Sequence, residues 1–268
     1  MNNSYEKQYI DICKNILEYG YYANNRTGVM TYKLPHQIIQ IDLEKEFPIL
    51  KSKFVAFKTA INEMLWIMQG HNNVNELNSH IWDQWASEDG SIGKTYGYQI
   101  KKYDQINRII KTLKEDPQNR RMLIDLWNFD DLDEMNLEPC CCQTFFDVAN
   151  GRLNCMLVQR SGDFCVGIPF DVVEYATLTL IIAKLTGLKP GLFSHIISNA
   201  HIYENHIEGA DKMIKNYVKL KSSYPEIYNS TPKLILNIDN KSFDEIKDED
   251  IMLENYKYVE KIKFDVAK

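Results

Sequence analysis

The chain has 268 residues, 44% hydrophobic and 25% charged, which suits one soluble globular domain over residues 1–268 with a sizeable core. A formal net charge of -6 and a pI near 5.6 argue against a broad nucleic-acid face and favour a small-molecule partner. No apolar core of signal-peptide length opens the chain, and nowhere do about 18 apolar residues run together, so a cytoplasmic protein with no membrane contact is expected. The six cysteines form no CxxC pair, and Cys140, Cys141 and Cys142 are adjacent, so reduced thiols are expected and no metal site is supported.

In chain order, residues 5–21 carry apolar side chains at helical spacing with a stop at Gly20, and Asn24 to Gly28 reads as a turn holding Arg26. An arginine in a turn is ordinarily solvated. Residues 36–43 alternate as a strand. Beyond Lys53, residues 57–68 form a helix closed by Gly70, with Glu63 in an almost wholly apolar run. That glutamate is either satisfied by a structural partner or a general acid/base whose pKa burial raises. Trp82 and Trp85, three apart, suit a core or the walls of a slot for a flat heterocycle. Arg120-Arg121, ahead of a strand over 122–127, reads as surface charge or as a pair of forks for a phosphate.

The densest stretch in reactive groups runs from Glu138 to Tyr175. Residues 144–148 are rich in β-formers, Asn150-Gly151 is a tight-turn signal, and Leu153, Cys155 and Leu157 alternate, which predicts a hairpin. Cys140 then stands at the mouth of one strand and Arg160-Ser161 at the end of the next. Gly167 to Phe170 breaks the pattern, and Asp171 is predicted to open a long apolar helix through 185. Further on, His201 and Tyr203 share one side of an extended segment, where interior polar groups are as good a reading as functional ones. The Lys-, Asp- and Glu-rich tail still holds a strand-like run at 234–238, and there is no internal repeat.

Taken together, NNRTG, NEMLWIMQG, IWDQWA, the Tyr96-Gly97 turn, NRR, the Pro139-Cys140 pair, QRSGD, GIPF and AHIYENH, in this order, resemble the thymidylate synthase family over nearly the whole chain. The resemblance implies a mixed α/β fold with a large twisted sheet, helices packed on it, and a homodimer formed through the sheet with shared active sites. It implies methylenetetrahydrofolate as the one-carbon donor, a pyrimidine nucleoside monophosphate as acceptor, and no metal. Cys140 matches the nucleophile that adds to pyrimidine C6, with Arg160 favouring its thiolate. Arg26, Arg160 and Ser161 match the phosphate site, completed by Arg120 and Arg121 from the second subunit. His201 and Tyr203 match the sugar-hydroxyl site, Glu63 the carboxylate that organises proton transfers, and Tyr96 the group that helps remove the C5 proton. Lys53, Trp82, Trp85, Asp163 and Ala267 match positions around the folate, Asp163 also bordering the nucleotide.

Two residues depart from the pattern of synthases that make thymidylate. Asp171 stands where they have an asparagine that donates to uracil O4 and accepts from N3-H, and Cys141 stands where they have a histidine. A carboxylate suits the amino group of cytosine, whereas uracil O4 against it would lose roughly 1 to 3 kcal/mol. The plainer reading of Asp171 is a helix cap, a role Asp and Asn fill almost equally. The carboxy-terminal Val266-Ala267 is kept but is followed by Lys268, a polar end that would admit water to a methylene intermediate. The resulting expectation is a cytidylate (dCMP or CMP) 5-hydroxymethylase, with Glu63 activating water. The alternatives are a thymidylate synthase acting on dUMP, a dCMP methyltransferase and, outside enzymes, a catalytically silent binding protein.

Overall fold

The computed structural model describes residues 4–266. Six strands, β1 (Tyr21–Ala23), β2 (Thr31–Asp42), β3 (Leu123–Asp125), β4 (Cys141–Ala149), β5 (Arg152–Asp163) and β6 (Lys189–Tyr203), form one mixed sheet in the order β1-β2-β6-β5-β4-β3. All neighbours are antiparallel except β5 and β6. A parallel pair needs a crossover, here the helix α5 (Gly167–Thr186). That helix is apolar almost all the way round, and Val172, Val173, Tyr175, Ala176, Leu178, Ile181 and Ile182 are all buried. A helix with no polar face belongs inside a protein. It packs between β5 and β6 on one side and the helices α2 (Phe57–Met68) and α4 (Gln105–Glu115) on the other. On the opposite face of the sheet, Ile38 and Leu192 are exposed and Val158 and Ile196 half-buried, and register aligns Ile38, Ile196 and Val158 in a row across three strands.

The hairpin forms as its residues predict. Asn150 and Gly151 take φ of 52° and 70°, the left-handed pair that a two-residue turn with matching twist requires. Cys141 pairs with Gln159 and Gln143 with Val158, so Cys142 is an extra residue bulging from β4. Bulges re-aim the side chains beside them, and this one sits next to Cys140. The first helix, α1 (Tyr5–Tyr19), and α2 also match expectation.

Three elements differ from the sequence reading. The long helix starts at Gly167, so Asp171 neither opens nor caps it. Pro169 is tolerated because the first-turn N–H groups have no intrahelical partner to lose. The approach to the helix is held instead by the Asp163 carboxylate, which accepts from the N–H of Cys165 (2.8 Å) and Val166 (3.3 Å). Strand β2 begins at Thr31, not His36, running through Pro35; His36 takes φ of 55° and drops out of an otherwise continuous pairing with β6. Strand β3 is confined to Leu123–Asp125.

The helix α3 (Gly97–Lys102) follows Tyr96, whose φ of 41° is a strained, left-handed value for a bulky residue. Gly97 lies so close to the neighbouring loop that a Cβ there would meet the His71 carbonyl oxygen at 1.8 Å. Gly97→Ala should therefore destabilise the fold by about 3 kcal/mol, the upper end for overpacking, read as a lowered denaturant midpoint with unchanged slope. Among the described residues no helix is long and apolar enough to cross a membrane.

Candidate active site

A cavity of about 730 Å³ opens where β5 and β6 end and α5 begins. Arg26, Glu63, Trp82, Trp85, Tyr96, Cys140, Arg160, Ser161, Asp163, Asp171, His201 and Tyr203 all line it. Residues spread from position 26 to 203 thus meet around one thiol. Val266, near the carboxy terminus, also reaches this cavity, while Ala267 lies outside the described residues.

Cys140 immediately precedes β4, and its neighbours hold it from two directions. Its N–H donates to the Tyr96 hydroxyl (2.9 Å), and its carbonyl accepts from the Arg160 N–H (2.9 Å). The Arg160 guanidinium donates to the Pro139 and Glu138 carbonyls (2.9 and 2.8 Å) and lies 5.7 Å from the Trp127 ring. Burial pushes the Cys140 thiol up, and the guanidinium charges of Arg160 and Arg26 work against that rise. Tyr96, itself buried, keeps its phenol neutral because burial and the neighbouring thiols raise its pKa far above the ordinary value.

On the inner wall the Trp82 indole N–H donates to Glu63 (2.7 Å), and the Trp82 ring meets those of Trp85 (5.3 Å) and Tyr96 (5.2 Å) edge-on. Burial raises the Glu63 pKa, opposed by hydrogen bonds from Glu174 and Trp82. With Ile81, Leu137, Val166 and Phe170, the two indoles give the cavity an apolar side suited to a flat pterin ring, so the residues present fit a folate. Opposite, His201 sits edge-on to Tyr203 (5.1 Å) and pairs across the sheet with Asp163; burial lowers its pKa, so it is neutral.

Asp171 lies one turn inside α5, and its carboxyl accepts from the Gln159 amide (2.8 Å) and faces the Cys141 thiol (3.6 Å). Burial pushes this carboxyl up to about 7, the Gln159 bond opposing and the Glu63 charge adding to the rise.

Three predicted residues lie elsewhere. Lys53 is buried, its ammonium donating to the Cys165 carbonyl (2.7 Å) and lying 5.1 Å from the Phe264 ring. Arg120 and Arg121 are exposed, and Arg121 lines a separate groove of about 580 Å³ with Arg108, Trp127 and Phe129.

Two groups escaped the sequence reading. Gln159 links Asp171 to His195: its carbonyl oxygen accepts from His195 Nε2 (2.6 Å) while its amide donates to Asp171, and burial drives the His195 pKa down to about 3 so that the ring stays neutral. Its place two residues before Ser161 in an alternating strand was the available signal. Glu174, 5% exposed, stands one turn beyond Asp171 and within hydrogen-bonding reach of Glu63. An acid inside an apolar helical run, the signal that singled out Glu63, applied to it too.

Comparison with known proteins agrees with this geometry. The family model described as Thymidylate synthase matches residues 7–268. A curated "Thymidylate synthase" of Clostridium beijerinckii is 52% identical over 267 residues, 98% of each chain. The solved thermostable thymidylate synthase A of Bacillus subtilis superimposes with a TM-score of 0.89 at 34% identity, covering 99% of this chain and 100% of that one. A thiol among guanidinium groups, an acid held by an indole and a whole-length match converge: the chain belongs to the thymidylate synthase family, one-carbon transferases that draw on methylenetetrahydrofolate and need no metal.

Proposed function

We propose that the enzyme methylates dUMP at C5 to give dTMP, working as a single catalytic domain in a homodimer. The observation that carries this reading is the 52% identity, over 98% of both chains, to a relative named thymidylate synthase. It displaces the expectation of a cytidylate hydroxymethylase, which rested on Asp171 and Cys141 at the base edge and on the polar Lys268 end. Burial pushes the Asp171 carboxyl up to about 7, which favours its acid form, and an acid has a donor for O4.

In this reading Cys140 adds to pyrimidine C6 and makes C5 nucleophilic, its thiolate supported by Arg160 and Arg26. Arg26, Arg160 and Ser161 hold the phosphate, together with Arg120 and Arg121 of a second copy. The exposed position of those two arginines, away from their own chain's cavity, supports the exchange, and the row of Ile38, Ile196 and Val158 is an apolar surface for the second copy. His201 and Tyr203 hold the sugar hydroxyl, Tyr96 assists removal of the C5 proton, and Glu63, fixed by Trp82, moves protons at position 4 of the base. Trp82, Trp85 and Asp163 hold the folate, with Ala267 closing over it, while Lys53, buried against the Cys165 carbonyl, takes no part. When bound, the folate supplies the one-carbon unit and, for a methyl product, the reducing equivalents.

A second reading, one-carbon transfer to a cytidylate, is favoured by Asp171 itself, whose charged form pairs with the cytosine amino group. Mass spectrometry of products from dUMP, dCMP and CMP with methylenetetrahydrofolate separates the two. The expected result is dTMP as the main product; hydroxymethyl- or methylcytidylate as the main product would replace the first reading by the second.

A further inference from the structure

A chain of polar groups runs through the apolar layer between the sheet and α5. His195 on β6 and Gln159 on β5 lie among the buried Leu157, Phe193 and Ile197 of the same two strands, and are themselves 0% and 2% exposed. Placing an imidazole and an amide in such a layer costs free energy that an all-carbon ring would not. The cost is offset by short hydrogen bonds. Gln159 Nε2 donates to the Ser161 carbonyl (2.9 Å) and to Asp171 Oδ2 (2.8 Å), and Gln159 Oε1 meets His195 Nε2 at 2.6 Å.

The chemistry of these partners fixes the protons along the chain. A backbone carbonyl only accepts, so the Ser161 oxygen holds the amide nitrogen of Gln159 on its side and turns the amide oxygen towards β6. That oxygen also only accepts, so His195 Nε2 carries a proton and donates it. Nδ1 of the same ring is sealed from solvent with no hydrogen-bond partner, and a second proton there would be stranded. Burial acts in the same direction, driving the His195 pKa down to about 3. His195 is therefore a neutral ring with its one N–H aimed at Gln159.

The network ties three elements together where they meet: β5 through Gln159 and Ser161, β6 through His195, and α5, the crossover between them, through Asp171. Gln159, Ser161 and Asp171 line the cavity, and the buried His195 stands behind Gln159. Without the histidine donor, the Gln159 oxygen would be a buried acceptor with nothing to accept. Turning it out into the cavity, where water can reach it, would relieve that cost and break both bonds to Ser161 and Asp171. The geometry points to His195 as a positioning residue that acts through Gln159 to hold Ser161 and Asp171, and with them the end of the cavity that receives the nucleotide. This rests on the cavity being a nucleotide site, as read above, and on no choice between bases.

The test is a double-mutant cycle read as equilibrium nucleotide affinity of the intact enzyme, with dUMP and dCMP measured side by side. His195→Phe keeps a ring and loses the donor; it should weaken binding of the preferred nucleotide at least about tenfold, as expected when a polar partner is left buried and unpaired. Gln159→Leu should weaken it as much or more. Adding His195→Phe to Gln159→Leu should cost less than about twofold further, because the histidine acts through the amide alone. His195→Gln, whose amide nitrogen reaches the place of the imidazole Nε2, should restore affinity to within about threefold of native. A ring that only fills space would be replaced better by phenylalanine than by glutamine, and its losses would multiply with those of Gln159→Leu. Should His195→Phe not fold, nitrogen NMR of histidine-labelled native enzyme still decides: of the six histidines, one missing from the spectrum of His195→Gln should be a neutral ring with its proton on Nε2. Native affinity in His195→Phe, independent losses in the double variant, or a charged or Nδ1–H ring at position 195 each overturns the proposal. The dUMP reading fails separately: if dCMP is bound and turned over in place of dUMP, the same cycle run on dCMP decides the role of His195.

Discussion

Replacing Cys140 with serine should lower turnover by at least about a thousandfold, while the same change at Cys142 should leave most of it. The two thiols are separated by one residue and both feel Arg160, but they differ in where they point. Cys140 lines the cavity, has its N–H tied to Tyr96 and lies in the field of Arg160 and Arg26. Cys142 bulges out of β4 and spends its weak donor on the carbonyls of Pro139 (3.6 Å) and Cys140 (3.5 Å). A serine hydroxyl at 140 is a far poorer nucleophile near neutral pH than a thiol that two guanidinium groups help to ionise. Steady-state rates of the two variants, with folding checked by circular dichroism, settle the point; an active Cys140→Ser beside an inactive Cys142→Ser would transfer the nucleophile to the bulge.

Arg121→Glu and Cys140→Ala should each be inactive alone and regain activity when mixed, up to about a quarter of the native rate under free subunit exchange. If Arg121 serves the partner's phosphate, the heterodimer has one site with an intact thiol facing an intact arginine, and one site lacking both. The single-chain structure motivates the test, because Arg121 lines a groove with Trp127 and Phe129 and does not line its own chain's cavity. Equal inactivity after exchange has been verified by labelled subunits would place Arg121 in service of its own chain.

How legible the molecule was depended on whether a residue's local pattern and its tertiary role agreed. The hairpin was readable because Asn150-Gly151 has one conformation that suits it and the flanking residues alternate. The helix bearing Glu63 was readable from its apolar run, and so was the isolation of its acid. The start of α5 was not, because Gly167 and Pro169 read as breakers in isolation, and only the free first turn of a helix makes that proline acceptable. The beginning of β2 was hidden in the same way by Pro35 and His36, which interrupt the alternation while the chain keeps pairing with β6 on both sides of them. Most of the site was named from motifs carried by resemblance. Gln159 and Glu174 were not, since an interior amide is unremarkable in sequence and Glu174 meets a helix more than a hundred positions away. The state of Asp171 was harder still: in sequence it is a charged residue, and it is burial that raises its pKa.

The pairing of β2 with β6 has a consequence for the order in which this molecule becomes an enzyme. Thr31 faces Tyr203 and Lys33 faces His201 across that seam, joining parts of the chain about 170 residues apart, whereas the hairpin of β4 and β5 closes over a two-residue turn. Loop closure makes the long seam slow and the hairpin fast. Cys140 and Arg160, tied through the hairpin, therefore come together early, in a chain that has neither Arg26 nor the His201–Tyr203 pair beside them. During refolding the Cys140 thiol therefore exists for a time without those groups beside it, and without the burial that raises its pKa in the complete fold.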